Sequence, residues 1–189
     1  VARLVSFNNV TLDGCFADRD GGIQWTVRSR SDPEFDAFVE ENARTGGRLV
    51  FGRITYELMA SYWPTPIASR EDPAVAERMN AMPKVVFSRT LTRVSWSNTT
   101  LERADLEATV RRMKNDGGPD VAILGSGSVV SQLARAGLID EFQIVVNPVI
   151  LGAGRPLFDG ITKPLPLELV KSRAFANGNV LLCYSPSPR

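Results

Sequence analysis

The run Val121-Ala122-Ile123-Leu124-Gly125-Ser126-Gly127-Ser128-Val129-Val130 joins an apolar, strand-like stretch to a glycine-serine turn that opens at once into an apolar-periodic helix. Glycines let a backbone turn sharply and approach a ligand closely, and the first N–H groups of the following helix lack internal acceptors, so such a turn can cradle a phosphate. Gly-Ser-Gly also makes ordinary strand-to-helix turns, and the motif alone leaves both uses open. Two further apolar runs end in similar chemistry. Leu49-Val50-Phe51 leads into Gly52-Arg53-Ile54-Thr55, and Val85-Val86-Phe87 into Ser88-Arg89-Thr90. A helix N-terminus with Thr55, a hydroxyl and guanidinium at Ser88 and Arg89, and the amides of Gly125 to Ser128 together suit one nucleotide. Taken singly, Arg53 and Arg89 also read as solvated arginines, and Thr55 as a helix cap.

The chain contains no histidine, which removes the usual general base at neutral pH and the commonest metal ligand. Serine–histidine and cysteine–histidine hydrolysis are excluded, as are zinc sites that contain histidine. What remains is chemistry carried by a bound cofactor while the protein binds, orients and excludes water, and hydride transfer fits that description. The two cysteines, Cys15 and Cys183, lie far apart and read as packing residues, with no metal site indicated.

The elements that must position these groups follow from length and patterning. With 189 residues and 43% hydrophobic content, the chain can bury one sizeable core and is expected to form a single domain over 1–189. Its 22 basic and 21 acidic residues are interspersed and show no basic stripe, so nucleic acid is disfavoured. No run reaches the roughly 18 apolar residues of a membrane span. The N-terminus lacks a charged region followed by an apolar core, so a soluble, cytoplasmic protein is expected.

Arg3 to Val10 reads as a first strand, Gly14 to Asp18 as a short return, and Pro33 to Ala43 as a helix capped by Asp32. A helix runs from Gly52-Arg53 through Trp63 and is stopped by Pro64 and Pro66. Thr65 to Pro73 reads as a proline-rich loop, followed by a short helix to Met82. Strands are expected at Leu49 to Phe51, Val85 to Phe87, Val121 to Leu124 and Glu141 to Val149, and helices over Asp105 to Lys114 and Ser128 to Ala136. Leu167 to Phe175 and Val180 to Ser185 face each other across Asn177-Gly178, a strong hairpin signal. Strand–helix alternation ending in a hairpin implies an α/β fold whose mostly parallel sheet is covered on both faces and ends in an antiparallel edge. Ligands of such sheets collect outside the carboxyl ends of the strands, where the three phosphate-suited turns fall.

In order along nearly the whole chain, Ser6 to Ala17 (SFNNVTLDGCFA), Val50 to Tyr56 (VFGRITY), Val85 to Thr90 (VVFSRT), Ile123 to Gln132 (ILGSGSVVSQ) and Asn147 to Phe158 (NPVILGAGRPLF) resemble the dihydrofolate-reductase-like superfamily. Leu12-Asp13-Gly14 and the Pro148 to Phe158 run look most like the reductase domain of bifunctional riboflavin-biosynthesis deaminase-reductases, here read as a stand-alone version. The resemblance implies a three-layer αβα domain with a mixed, mostly parallel sheet, NADPH as cofactor, a small-molecule substrate and a homodimer. It places Gly52, Arg53 and Thr55 on the 2′-phosphate and pyrophosphate, and Ser88 and Arg89 on the adenosine phosphate. Gly125, Ser126, Gly127, Ser128, Val129 and Val130 come to lie under the pyrophosphate, with a cis peptide between Gly125 and Ser126. Asn9, Val10, Phe16 and Ala17 match positions along the nicotinamide.

The substrate side is more open. Asp13 and Asp32 are the expected acids, although Asp-Gly is good turn chemistry anywhere and Asp32 also reads as a helix cap. Glu34 and Asp36 share that neighbourhood. Arg155 could hold a substrate phosphate or brace a loop. Trp25 and Tyr56, with Tyr62 and Trp63, could form an aromatic wall or belong to the core. The expected reaction is NADPH-dependent hydride transfer to a polarised C=N or C=O bond of a small heterocycle, with reduction of the ribosylaminopyrimidine of riboflavin synthesis as the nearest example. Dihydrofolate reduction and a non-catalytic NADPH-binding module are the alternatives.

Overall fold

The computed structural model describes residues 1–29, 32–45 and 47–187. Chain order is β1 (Leu4–Thr11), β2 (Cys15–Asp18), a 3-10 turn (Gln24–Ser29), α1 (Pro33–Thr45), β3 (Arg48–Gly52), α2 (Arg53–Tyr62), α3 (Pro66–Glu71), α4 (Pro73–Ala81), β4 (Lys84–Phe87) and β5 (Thr99–Glu102). It continues with α5 (Leu106–Asn115), β6 (Val121–Leu124), α6 (Gly127–Arg135), β7 (Glu141–Asn147), β8 (Gly154–Pro156), β9 (Leu167–Ala174) and β10 (Val180–Pro186).

Eight strands form one sheet in the order β5-β4-β3-β6-β1-β7-β10-β9, while β2 and β8 form a separate two-stranded pair. The first six in that order pair in parallel, and β10 runs antiparallel to both β7 and β9. The expected α/β architecture with an antiparallel C-terminal pair is therefore present. Parallel pairing brings the carboxyl ends of β4, β3 and β6 side by side, which aligns the exits at Ser88, Gly52 and Gly125 along one edge.

Leu4, Val10, Val121, Ile123 and Phe142 bury one sheet face beneath Val110 and Met113 of α5 and Val129, Val130 and Leu133 of α6. The opposite face is covered by two separate clusters. Leu49, Phe51 and Val86 pack under Tyr56 of α2, Ala68 of α3 and Val75 and Met79 of α4. Val145, Leu181 and Cys183 pack under Phe35 of α1, together with Phe175. Lys84 is buried within this fold, its ammonium donating to the carbonyls of Met79, Asn80 and Met82 at the end of α4 and lying 4.5 Å from the centre of the Trp96 ring.

One local expectation is corrected and two short strands are added to those expected. The segment Thr65 to Pro73 is not a loop: Pro66 occupies the first turn of α3, where no N–H is required, and the Thr65 hydroxyl accepts from the Ala68 amide. Thr99–Glu102 forms a short edge strand whose polar sequence has no strand-like alternation to reveal it. Gly154–Pro156 pairs with β2, and a Cβ at Gly154 would fall 2.7 Å from the Ala17 carbonyl oxygen, so only glycine permits that approach. No helix among the described residues is long and apolar enough to cross a membrane.

Candidate functional site

In β1 the side chains alternate, with Leu4, Ser6, Asn8 and Val10 buried and Val5, Phe7 and Asn9 only half-buried, although β1 is an interior strand. Ala122 and Leu124 of β6, which pair with Val5 and Phe7, are likewise half-buried. An interior parallel strand is normally covered on both faces, so this pattern marks a gap in the covering layer. The gap falls between the cluster under α2 and α4 and the cluster under α1. It is a cavity of about 820 Å³, floored by the β1 and β6 residues with Gln143 of β7, and lined on its α1 side by Asp36, Val39, Glu40 and Ala43.

At the carboxyl ends of the strands the cavity is lined by Asn9, Phe16, Ala17, Gly52, Arg53, Thr55, Gly125, Ser126, Gly127 and Ser128. The exits of β3 and β6 are tied together, because the Gly52 N–H donates to the Ser126 hydroxyl at 2.7 Å. That bond spends an amide that a strand end would otherwise leave open, and it fixes the spacing of the two turns. No peptide bond among the described residues is cis, which corrects the cis bond expected between Gly125 and Ser126. The reversal is made instead by two successive left-handed residues, Gly125 and Ser126, each with φ +58°. Ser126 is a non-glycine residue in that region, a conformation that costs on the order of 1 kcal/mol or more and is held here by its bond to Gly52.

The Val129 and Val130 amides donate to the Ser126 carbonyl, while those of Gly127 and Ser128 have no intrahelical acceptor. A Cβ on Gly127 would lie 2.5 Å from the Phe16 ring, so the aromatic side chain rests directly on the turn. Thr55 sits under Gly125, whose Cβ would approach the threonine Cγ2 to 3.0 Å. Arg53 is exposed and paired with Glu57 at 3.1 Å, one helical turn on. A phosphate-bearing group thus meets glycine amides, a hydroxyl and a guanidinium, all suited to an anion.

Other expected site residues are not brought to the cavity. Val10, Val129 and Val130 are core residues of the opposite face. Ser88 and Arg89 stand outside the cavity lining at the neighbouring exit, with the Ser88 hydroxyl accepting from the Thr90 and Leu91 amides. Tyr56 is buried, its hydroxyl accepting from the amides of Ser95 and Trp96, so it braces the loop after β4 rather than walling the cavity. Trp25 is half-buried and lies outside the lining, although its neighbours Ile23 and Thr26 belong to it.

The carboxylates sort by their partners. Asp13 accepts from the Thr11 hydroxyl and from the amides of Leu151 and Gly152, which ties the turn after β1 to the loop before β8. The Thr11 hydroxyl, then the Gly152 amide, hold its pKa below the ordinary carboxylate value. Asp32 caps α1 through the Glu34 and Phe35 amides and reaches across to the Asn177 amide at 3.1 Å. Burial pushes its pKa up, but the amides of Asn177, Glu34, Phe35 and Ala176 outweigh it and leave a net lowering. Both groups are built to stay ionised, and neither lines the cavity. Glu34 is exposed and pairs with Arg173 at 3.0 Å. Asp36 is the acid of this neighbourhood that lines the cavity.

Arg155 also lines the cavity, with two guanidinium nitrogens donating to the Arg19 carbonyl at 3.1 and 3.3 Å. No group of three or more cysteine, aspartate or glutamate side chains suited to a metal occurs among the described residues. Asp36, named from the sequence as a neighbour of Asp32, is joined at the cavity by Val39, Glu40 and Ala43, which sequence reasoning missed, and the four are spaced i, i+3, i+4, i+7. Two acids, both exposed, on that cavity-lining stripe were a legible sign that α1 faces something other than a dry core.

A family model described as the RibD C-terminal domain matches residues 2–181. The chain is 29% identical over 186 residues to the uncharacterized protein YyaP of Bacillus subtilis (strain 168), covering 96% of this chain and 94% of that one. Among solved structures, a Shewanella sp. PV-4 protein named for riboflavin biosynthesis superposes with a TM-score of 0.75 at 23% identity, over 98% of this chain and 99% of that one. The diaminohydroxyphosphoribosylaminopyrimidine deaminase/5-amino-6-(5-phosphoribosylamino)uracil reductase of Thermotoga maritima superposes with a TM-score of 0.69 at 15% identity, over 98% of this chain but 57% of that one. These two likenesses establish a shared fold.

Proposed function

The chain belongs to the RibD C-terminal domain family, a family of reductase domains, and from that premise we propose that it is an NADPH-dependent reductase of a small heterocyclic compound. The observation that carries this reading is the pair of strand exits locked by the Gly52–Ser126 hydrogen bond at one end of a cavity large enough for a nicotinamide and an acceptor. Bound there, NADPH would supply a hydride to a polarised C=N or C=O bond, with the ribosylaminopyrimidine of riboflavin synthesis as the reference acceptor.

The chain's own residues bind and orient. Gly127, Ser128 and Thr55 are assigned to the pyrophosphate, and Arg53, with Ser88 and Arg89 at the next exit, to the adenosine 2′-phosphate. Asn9 and the backbone from Phe16 to Ala17 take the nicotinamide side, where a fixed ring face is the orientation term in the reaction. Asn9 is itself held, its side-chain oxygen accepting from Asn147 at 3.1 Å. Asp36, rather than Asp13 or Asp32, is the acid placed to orient the water that delivers a proton to the acceptor's nitrogen or oxygen. Arg155 offers the remainder of its guanidinium to an electronegative substituent of the acceptor.

Titration of the purified protein with NADPH and NADH, followed by nicotinamide fluorescence, tests the cofactor. Micromolar NADPH binding is expected, and no binding of either nucleotide at millimolar concentration would sink the assignment. Asp36→Asn is expected to lower turnover about 100-fold while leaving NADPH binding unchanged. Unchanged turnover in that variant would remove the acid role.

A further inference from the structure

Two amide side chains interrupt the apolar floor of the cavity on the sheet face turned to α1, Asn9 of β1 and Gln143 of β7. In the register of these strands Asn9 lies beside Val145 and Gln143 beside Phe7, which sets Gln143 two residues, about 7 Å, deeper along the floor. With the nicotinamide at Asn9, the acceptor lies at the level of Gln143. Gln143 is half-buried on an interior strand and belongs to none of the three apolar clusters. Phe7 and Cys183 flank it from the adjoining strands, and a polar group in such a place is retained where something bonds it.

One end of this amide is accounted for. Its nitrogen donates to one Glu141 oxygen at 2.7 Å, and the other Glu141 oxygen accepts from the Arg3 guanidinium at 2.6 Å. The Glu141 side chain is only 13% exposed, so the relay from Arg3 through Glu141 to Gln143 is built into the fold. A carboxylate offers acceptors alone, so the nitrogen must face Glu141 and the amide does not turn over. The carbonyl oxygen is thereby the end left for the cavity. No donor among the described residues reaches it, and it is open rather than sealed in.

Building on the reductase reading, we infer that Gln143 selects the acceptor by accepting a hydrogen bond from a ring N–H. The acceptor is therefore a lactam-type heterocycle with an unsubstituted ring nitrogen on the edge it turns to β7. Because Phe7 and Cys183 stand beside the amide, the donor must reach it without a substituent beyond the nitrogen. A ring that turns an alkylated nitrogen to Gln143 leaves the carbonyl desolvated and unpaired, and that difference is what discriminates.

The test uses 5,6-diaminouracil, whose ring nitrogens carry hydrogen, and 5,6-diamino-1,3-dimethyluracil, in which they are methylated, titrated calorimetrically into the protein with and without NADP. Binding of the unmethylated ring about tenfold tighter or more is expected. Gln143→Met and Gln143→Leu, each checked for an unchanged far-ultraviolet spectrum and cooperative melting, are expected to weaken 5,6-diaminouracil about tenfold, to bring the two rings within about threefold of each other and to leave NADP binding within about twofold. Methyl groups that merely collide with the floor would keep their penalty in those variants, so the coupling between methylation and Gln143 is the readout. Equal binding of the two rings by the parent, a preference that survives both substitutions, or binding of neither ring would overturn the inference. Each of those results leaves the reductase reading to the NADPH titration, which fails or succeeds independently.

Discussion

At the scale of single residues, the side chains best suited to chemistry by type divide between ligand and fold according to what already holds them. Arg53 is exposed and held only by an intrahelical pair with Glu57. An exposed pair of that kind contributes about 0.5 kcal/mol and is readily exchanged for a phosphate. Arg53→Ala is therefore expected to weaken NADPH about tenfold and NADH hardly at all, and equal losses for the two nucleotides would remove Arg53 from the 2′-phosphate. Asp32 is the contrary case, with both oxygens taken by backbone amides of α1 and of the 175–179 turn. Its folded pKa lies below its unfolded value, so as acid is added the unfolded chain takes the proton first. The stability it contributes is complete above the unfolded pKa, near pH 4, and is lost as pH falls through the lower folded value. Asp32→Asn keeps a capping oxygen but not the charge. Its urea midpoint is expected to be lower than that of the parent at pH 7 and to approach it at about pH 2, and a constant gap across that range would show that the carboxylate charge is not what the amides stabilise.

At the scale of elements, the site depends on two strand-to-helix turns keeping a fixed distance. The Ser126 hydroxyl sets it by accepting the Gly52 N–H while its own backbone is left-handed. Ser126→Ala leaves that amide without its acceptor, and a loss of about 1 kcal/mol in stability is expected, with NADPH weakened several-fold by the loosened spacing. Normal NADPH affinity in a measurably destabilised Ser126→Ala protein would place the pyrophosphate away from this pair of turns. The turns themselves were legible, because glycine after an apolar strand and before an apolar helix is local information. Pro66 misled because proline ends one helix and begins another with equal ease, and only the Thr65 cap distinguishes the two. Asp13 and Asp32 were read both as acids and as turn and cap residues, and the Asp32 cap over α1, a local signal, is present. Their further ties to the fold are amides 138 and 145 residues away, which no local pattern displays. Asp36 was named beside them but could not be singled out, for the complementary reason that a cavity under α1 exists only once β1, β6 and α1 have been brought together.

At the scale of the whole molecule, the sheet is finished differently at its two ends. β5 is four residues long, a short edge that offers little to another chain. β9 is eight residues long and exposed along nearly its whole length, with Leu167, Leu169 and Val170 open to solvent at 37%, 56% and 61%. Long apolar edges are ordinarily covered, and a chain with closed symmetry covers one with its own copy. Charge makes the strand self-complementary, because a two-fold axis between Leu169 and Val170 sets Glu168 of each copy against Lys171 of the other, with Leu169 against Val170. The cavity is floored by β6, β1 and β7, and β10 stands between β7 and this edge, so pairing there leaves the proposed site unobstructed. The parent protein is thus expected to sediment as a dimer, and Leu169→Lys combined with Val170→Lys, which sets like charges against each other across the axis, to sediment as a monomer that still binds NADPH. A parent that remains monomeric at about 100 μM, where isologous contacts as weak as about 5.5 kcal/mol still register, would show that β9 is covered by something other than a second copy.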